Sequence, residues 1–282
     1  MGHDPLGHDP SPVVLGEREG MTGGPGAVLA AFRSQRRRFL ATVAAWEPSA
    51  WHAPTRCALW SAHDVVRHVR DVAALHVARL GGPPAPFEVK EPFSPPTSPL
   101  EWLTASAGQT PRETLRELRL LVEEEARLLE HRADVDPPRP VAGQLRRQVH
   151  WSVASAHTLW DAWMHERDIL LAMGREPSCP EGEFRVALMY GLLAAAAPGG
   201  WEGRYVHTTV ALEGSPDGVY EITHVDDSIR VTTVSPPNGA ELSGPAGEVL
   251  DSLAGRGPLP REVFASSAAV VDRLTVLREV AT

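Results

Sequence analysis

The chain has 282 residues, of which 43% are hydrophobic and 22% charged, and its formal net charge is −9. This length favours two domains, since domains usually contain roughly 100–150 residues. The acidic surplus argues against nonspecific nucleic-acid binding and against docking on an anionic membrane, because both need clustered basic residues. The two cysteines, Cys57 and Cys179, are far apart, which excludes a disulfide framework and is typical of a reducing compartment.

The sequence predicts a cytoplasmic protein with a dispensable N-terminal tail. No stretch reaches the ~20 apolar residues that span a bilayer, and no secretory signal pattern is present. Residues 1–25 repeat the tetrapeptide GHDP and are rich in glycine and proline. Such a segment buries too little apolar surface to fold, so we predict that residues 1–25 are a disordered tail and that deletion of residues 1–20 leaves folding and activity unchanged.

Hydrophobic periodicity predicts a helical bundle over residues 26–200. The five predicted helices cover about 27–46, 62–80, 111–131, 141–173 and 182–197. Ser61 is the expected N-cap of the second helix, and Thr110 followed by Pro111 is the expected start of the third. A loop rich in proline and serine is predicted over about 81–99.

After Trp201 the pattern changes to short alternating segments that are rich in β-branched residues. It predicts strands at about 205–212, 219–224 and 228–234, separated by the turn signals GSPDG and DDS. Helical patterns follow at about 245–253 and 267–280. We therefore predict an α+β fold, with the bundle ending near Gly200 and a small α+β domain over residues 201–282.

One face of the fourth predicted helix carries several groups that can bind a metal ion. His157, Asp161 and His165 follow one another at intervals of four residues, and His68 lies on the apolar stripe of the second helix. One carboxylate and two imidazoles form a three-ligand set that leaves an open position, as in catalytic zinc sites. Asp168 is placed to hold the second ring nitrogen of His165. The same spacing also fits a buried hydrogen-bond network or a solvated helix face.

Four segments resemble a known family in the same order along the chain. Residues 60–69, WSAHDVVRHV, resemble the W-[ST]-x-x-D-[VL]-x-x-H signature of the mycothiol-dependent maleylpyruvate isomerase N-terminal domain, a DinB-like metal-dependent bundle. Residues 160–168, WDAWMHERD, are similar to the second signature, [ED]-x-x-x-H-x-x-D. Residues 242–246 and 253–256, LSGPA and LAGR, resemble the family's small C-terminal domain.

The resemblance implies a DinB-like bundle in which His68, Asp161 and His165 hold the metal. Asp161 departs from the family pattern, because that position is often Glu. Arg256, between two glycines, is a candidate catalytic and cofactor-binding residue that would pair with a carboxylate of substrate or thiol. The alternative is an arginine that only ends a helix. Trp160 belongs either to the core or to the wall of a cofactor pocket.

The implied function is that of a metal-dependent and mycothiol-dependent S-transferase or isomerase, in which a metal-bound thiolate attacks an electrophilic small molecule. The expected cofactors are a divalent ion, zinc first, and mycothiol as cosubstrate; no nucleic acid or membrane is an expected partner. The composition is typical of a GC-rich genome such as that of an actinobacterium. The alternatives are a metal-dependent hydrolase on the same bundle and a non-catalytic binding protein with a degenerate site, which Asp161 favours.

Overall fold

A computed structural model describes residues 24–89, 97–134, 141–142, 148–196, 206–225, 228–234, 240–258 and 264–265. Residues 1–23 of the predicted tail lie outside this set, as do the boundary predicted near Gly200 and the helix predicted at 267–280. The first helix begins at Gly24, so its first two residues fall within the predicted tail.

The described part of the bundle contains six α-helices and one short 3-10 helix. The α-helices are α1 (Gly24–Ala44), α2 (Ala62–Arg79), α3 (Ser98–Ala105), α4 (Pro111–Ala133), α5 (Trp151–Ala172) and α6 (Glu181–Ala196). The 3-10 helix covers Pro48–His52. The predicted helical bundle is confirmed, and its fourth predicted helix corresponds to α5.

Two of the helices begin at the N-caps that the sequence predicts. The Ser61 side chain accepts a hydrogen bond from the Asp64 backbone N–H, and the Asp64 side chain accepts one from the Ser61 N–H. Thr110 and Glu113 form the same capping box at the start of α4. These reciprocal bonds satisfy backbone donors that a helix start otherwise leaves unpaired. The cap of α2 thereby sets the register at which later residues of that helix face the bundle interior.

Two local predictions in the bundle were wrong. Helix α5 begins ten residues later than predicted, because Val141–Ala142 (β1) and Gln148–Val149 (β2) form a short antiparallel pair before it. The His150 side chain then accepts a hydrogen bond from the Ser152 N–H and caps α5. Helix α3 begins inside the predicted loop, where burial of Trp102 and Leu103 outweighs the local abundance of proline and serine.

The C-terminal part contains a mixed five-stranded sheet and the helix α7 (Ala246–Leu253). Its strands are β3 (Val206–Glu213), β4 (Val219–Val225), β5 (Ser228–Thr233), β6 (Leu242–Pro245) and β7 (Phe264–Ala265). The order across the sheet is β5-β4-β3-β6-β7, and β3 pairs with β6 in parallel. The α+β class is confirmed. Strand β6 was not predicted, because its four residues, which include Gly244 and Pro245, carry no alternating pattern.

A continuous hydrophobic core joins the bundle to the sheet. Helix α6 packs against α1 and α5 on one side and against α7, β4 and β5 on the other. The core includes Trp160, Tyr190, Tyr220 and Leu250, all buried. This packing brings the end of α7 beside α5. The division into two domains stays a prediction, and none of the described helices is long and apolar enough to cross a membrane.

Candidate metal centre

Helices α2 and α5 lie antiparallel and bring the three predicted ligands together. His68 Nε2 lies 3.4 Å from Asp161 Oδ1, and His165 Nε2 lies 3.8 Å from the same oxygen. Farther along the two helices, His76 Nε2 lies 3.1 Å from Ser155 Oγ, so residue numbers rise on α2 as they fall on α5. The His68 and His165 rings meet edge to face, with centroids 4.7 Å apart.

The polar atoms of this cluster have the arrangement that a metal ion needs. One ligand atom from each of His68, Asp161 and His165 lies within 4.8 Å of the other two. Tetrahedral bonds of about 2.0–2.1 Å to zinc place ligand atoms about 3.3 Å apart, close to the observed separations. Asp161 Oδ2 is buried and has no hydrogen-bond partner. Because buried carboxylate oxygens are normally paired, this unpaired atom is suited to binding a cation.

The electrostatics of the cluster favour a charged Asp161 carboxylate and a neutral His165 imidazole. Burial acts to raise the pKa of Asp161, but the neighbouring His68 and His165 outweigh it and hold that pKa below its usual range. Burial lowers the pKa of His165 although Asp161 opposes this effect. A metal requires an ionised carboxylate and unprotonated ring nitrogens, so both shifts suit a ligand set.

Asp168 orients the His165 ring from the side away from Asp161. His165 Nδ1 lies 3.2 Å from Asp168 Oδ2, which directs Nε2 toward the cluster, as an outer carboxylate does in metal sites. Asp168 is fully buried and is held by Arg256, at 3.0 Å, and by Arg56, at 3.4 Å. Arg256 therefore pairs with a carboxylate of the protein itself, which the sequence did not predict.

Two tryptophans occupy different positions relative to the cluster. The Trp60 ring lies 5.0 Å from the His68 ring and 5.8 Å from the His165 ring, centroid to centroid. Trp160 instead packs against Tyr190 at 5.7 Å and His157 at 6.2 Å. Trp60, which begins the first signature, is thus the aromatic neighbour of the predicted ligands. The cofactor-binding role of Trp160 stays a prediction.

A second group of possible metal ligands consists of Cys57, His165 and Asp168, whose ligand atoms all lie within 4.8 Å of one another. Cys57 donates to Asp168 Oδ2 at 3.3 Å, and burial together with Asp168 raises its pKa to about 12. The thiol therefore stays protonated at neutral pH, whereas metals bind the thiolate. Because Arg56 and Arg256 already neutralise Asp168, this group is a poor cation site compared with the first.

Comparisons with known proteins find a matching domain family and a similar fold. Residues 32–170 match the family model described as the mycothiol maleylpyruvate isomerase N-terminal domain. A crystal structure of the mycothiol-dependent maleylpyruvate isomerase superposes with a TM-score of 0.55 at 16% identity, covering 84% of this chain and 90% of that one. A His→Ala variant of that enzyme gives a TM-score of 0.55 at 14% identity, covering 82% and 88%.

At these identities the structural likeness shows the fold alone. No curated protein matches the chain in sequence. The matched domain contains all three residues of the cluster, and both similar structures extend over the C-terminal part as well. Residues 32–170 of the chain therefore form a mycothiol maleylpyruvate isomerase N-terminal domain.

Proposed function

We propose that this protein is a metal-dependent enzyme that uses mycothiol, acting as an S-transferase or isomerase on an electrophilic small molecule in the cytoplasm. The observation that carries the proposal is the convergence of His68 Nε2, His165 Nε2 and the Asp161 carboxylate, with one carboxylate oxygen buried and unpaired. The domain match supports mycothiol as the thiol, because the matched domain and the similar structures are named for it.

A divalent ion, zinc first, fits a set of two nitrogens and one oxygen. When bound, it would supply an acidic centre that keeps a thiol sulfur as a nucleophilic thiolate at neutral pH. Without such help only a few per cent of a thiol with a pKa of ~8.5 is ionised at pH 7. Asp161 has a shorter side chain than the Glu common in the family, and the observed 3.4 Å and 3.8 Å separations support Asp161 as a ligand.

The residues around the ligands hold and shield them. Asp168 accepts a hydrogen bond from Nδ1–H of His165, and Arg256 keeps Asp168 ionised and in place. We assign Arg256 a positioning role on this basis. Trp60 covers the two imidazoles with its ring and would limit access of water to the thiol. Trp160 remains the candidate for contact with the thiol or its partner.

The test combines metal analysis with thiol-dependent turnover. Wild-type protein expressed with zinc should hold about one ion per chain, as a three-ligand site does, and Asp161→Ala should hold almost none. The matched control is Asp134→Ala, at an exposed position outside the cluster. Both proteins and the control are then given mycothiol and a panel of unsaturated carbonyl compounds that includes maleylpyruvate.

We expect S-conjugation or double-bond isomerisation only with both zinc and thiol. The Asp161→Ala variant should lose this turnover, whereas Asp134→Ala should retain it. Turnover of a substrate that proceeds equally without any thiol would contradict the proposal and favour a hydrolase. Full zinc occupancy in Asp161→Ala would refute the ligand assignment.

A further inference from the structure

Both candidate histidine ligands begin the same four-residue pattern. The pattern H-x-R-D occurs at residues 68–71 on α2 and at residues 165–168 on α5, and none of the other ten of the twelve histidines begins it. Residues three apart on a helix are neighbours, with Cβ atoms about 5–6 Å from each other. At this spacing Asp168 lies against the ring of His165. Asp71 has the equivalent place beside His68.

The two residues on α2 carry complementary polar atoms that lack partners. The side chain of Asp71 is 1% exposed and that of His68 is 8% exposed. His68 Nδ1 and Asp71 Oδ2 are both buried, and within the described residues neither makes a hydrogen bond. A buried donor or acceptor without a partner costs free energy in the folded protein. Because one atom can donate and the other accepts, each can satisfy its neighbour on the same helix.

Asp71 is held in place from the side of α4. Arg70 Nη2 lies 2.8 Å from Asp71 Oδ1, and Arg70 Nη1 lies 3.0 Å from Glu117 Oε2. Gln109 donates to the same Glu117 oxygen at 2.6 Å. These contacts engage one oxygen of Asp71 and leave Oδ2 for His68. Burial raises the pKa of Asp71 to about 6, and Arg70 followed by His68 opposes this effect, so the carboxylate lies within electrostatic range of the ring.

We propose that Asp71 is a positioning residue for His68, whose Nδ1–H it binds through Oδ2, either directly or through one water. The proposal rests on the metal ligands of the proposed function. A ring that donates from Nδ1 presents the lone pair of Nε2, and His68 Nε2 is the atom that lies beside Asp161. Both candidate imidazole ligands would then have the same tautomer and an anionic acceptor, which makes each ring a stronger ligand.

The alternative role for Asp71 is only to neutralise Arg70. In that case Asp71→Asn lowers the stability of the fold, but the folded protein binds zinc as tightly as wild type does. Glu117→Gln is the matched control, because it removes another carboxylate that binds Arg70 and leaves Asp71 unchanged. A positioning role predicts that zinc affinity responds to Asp71→Asn and hardly at all to Glu117→Gln.

The first experiment measures zinc affinity of the full-length protein by competition with a chelator, without thiol. We expect Asp71→Asn to lower the affinity roughly 10- to 100-fold, as substitutions of an outer carboxylate do. The double variant Arg70→Gln/Asp71→Asn removes both charges of the buried pair and should show the same loss. It provides the measurement if Asp71→Asn alone does not fold.

The second experiment observes the hydrogen bond itself. Proton–nitrogen NMR spectra of zinc-loaded protein with 15N-labelled histidine report each ring N–H. The Nδ1–H signal of His68 is assigned by its loss in His68→Gln. It should move in Asp71→Asn and keep its position in Glu117→Gln, whereas the signal of His165 should stay in place in both. A stability effect alone would not move one ring signal selectively.

The outcomes separate this inference from the proposed function. Wild-type protein that binds zinc but shows no thiol-dependent turnover would contradict the proposed function and leave the role of Asp71 standing. Zinc affinity that is unchanged in Asp71→Asn, an equal loss in Glu117→Gln, or a His68 signal that does not respond to Asp71→Asn would overturn the inference. Wild-type protein without zinc affinity would overturn both.

Discussion

Arg256 and Asp168 form an ion pair between the segment that follows α7 and the interior of α5, with Nη2 of the arginine 3.0 Å from Oδ2 of the aspartate. The same carboxylate oxygen lies 3.2 Å from Nδ1 of His165. Arg256, which is 88 positions after Asp168 in the sequence, thus helps to fix the orientation of His165 through that carboxylate. The C-terminal part of the chain is therefore physically linked to the candidate metal centre of the bundle.

The contacts from Arg256 through Asp168 to His165 form a relay. This relay predicts that Asp168→Asn weakens metal binding without removing a ligand. The amide lacks the charge that holds Nδ1–H of His165, and such outer substitutions reduce metal affinity roughly 10- to 100-fold. Competition with a zinc chelator measures the change. Asp251→Asn is the matched control, because Asp251 binds Arg56 and Arg167 near the relay without contacting His165. Identical zinc affinity in wild type and Asp168→Asn would contradict the relay.

The buried pair of Arg36 and Glu125 predicts a large effect on stability. Both side chains are almost fully buried, and Arg36 Nε lies 3.0 Å from Glu125 Oε2. Glu125→Gln leaves the arginine unpaired, so we expect the free energy of unfolding to fall by about 3–5 kcal/mol. Urea denaturation measures it. Glu124→Gln, which breaks an exposed pair with Arg127, should leave the midpoint unchanged, and an equal loss in both variants would be inconsistent with this account.

His76 predicts a decline in stability on acidification. Burial lowers the pKa of His76 in the folded protein although Glu125 opposes this effect, whereas an unfolded histidine titrates near ~6.5. The unfolded state then binds the proton first, so the stabilisation is present above that pH and is lost as the pH falls below it.

The comparison that isolates His76 is urea denaturation at pH 7.5 and pH 5.5. His76→Gln should lose less stability between these two pH values than wild type does. His207→Gln, at an exposed position, should lose as much as wild type. If wild type and His76→Gln show the same decline, His76 is not responsible for the pH dependence.

Much of the fold was predictable because it depends on local patterns. The second predicted helix matched α2 closely, since apolar periodicity and the Ser61 cap act within a few residues of each other. The three candidate ligands were found from the spacing on α5 and from the two signatures. Those patterns are short-range, and the helix geometry then places the side chains on one face.

The remaining features depend on contacts between distant residues. Asp168 is paired with Arg56 and Arg256, which lie in two loops that share no periodicity with α5. The parallel pairing of β3 with β6 joins segments more than thirty residues apart, and a four-residue strand carries too little pattern to show it.

Cys57 is predicted to react slowly despite its place beside the candidate metal centre. Burial raises its pKa to about 12, so almost none of it is thiolate at pH 8, and the thiolate is the reactive form. Iodoacetamide should alkylate the exposed Cys179 at least about tenfold faster, as peptide mass spectrometry would show. Preferential alkylation of Cys57 would indicate a thiolate there and favour a sulfur ligand.

Zinc K-edge X-ray absorption on the zinc-loaded full-length protein tests the ligand set most directly. The account predicts only nitrogen and oxygen neighbours at about 2.0–2.1 Å, with the scattering of two imidazoles. In His68→Gln the imidazole contribution should fall from two to one. A sulfur neighbour at about 2.3 Å in the absence of added thiol would place Cys57 on the metal and contradict the set of His68, Asp161 and His165.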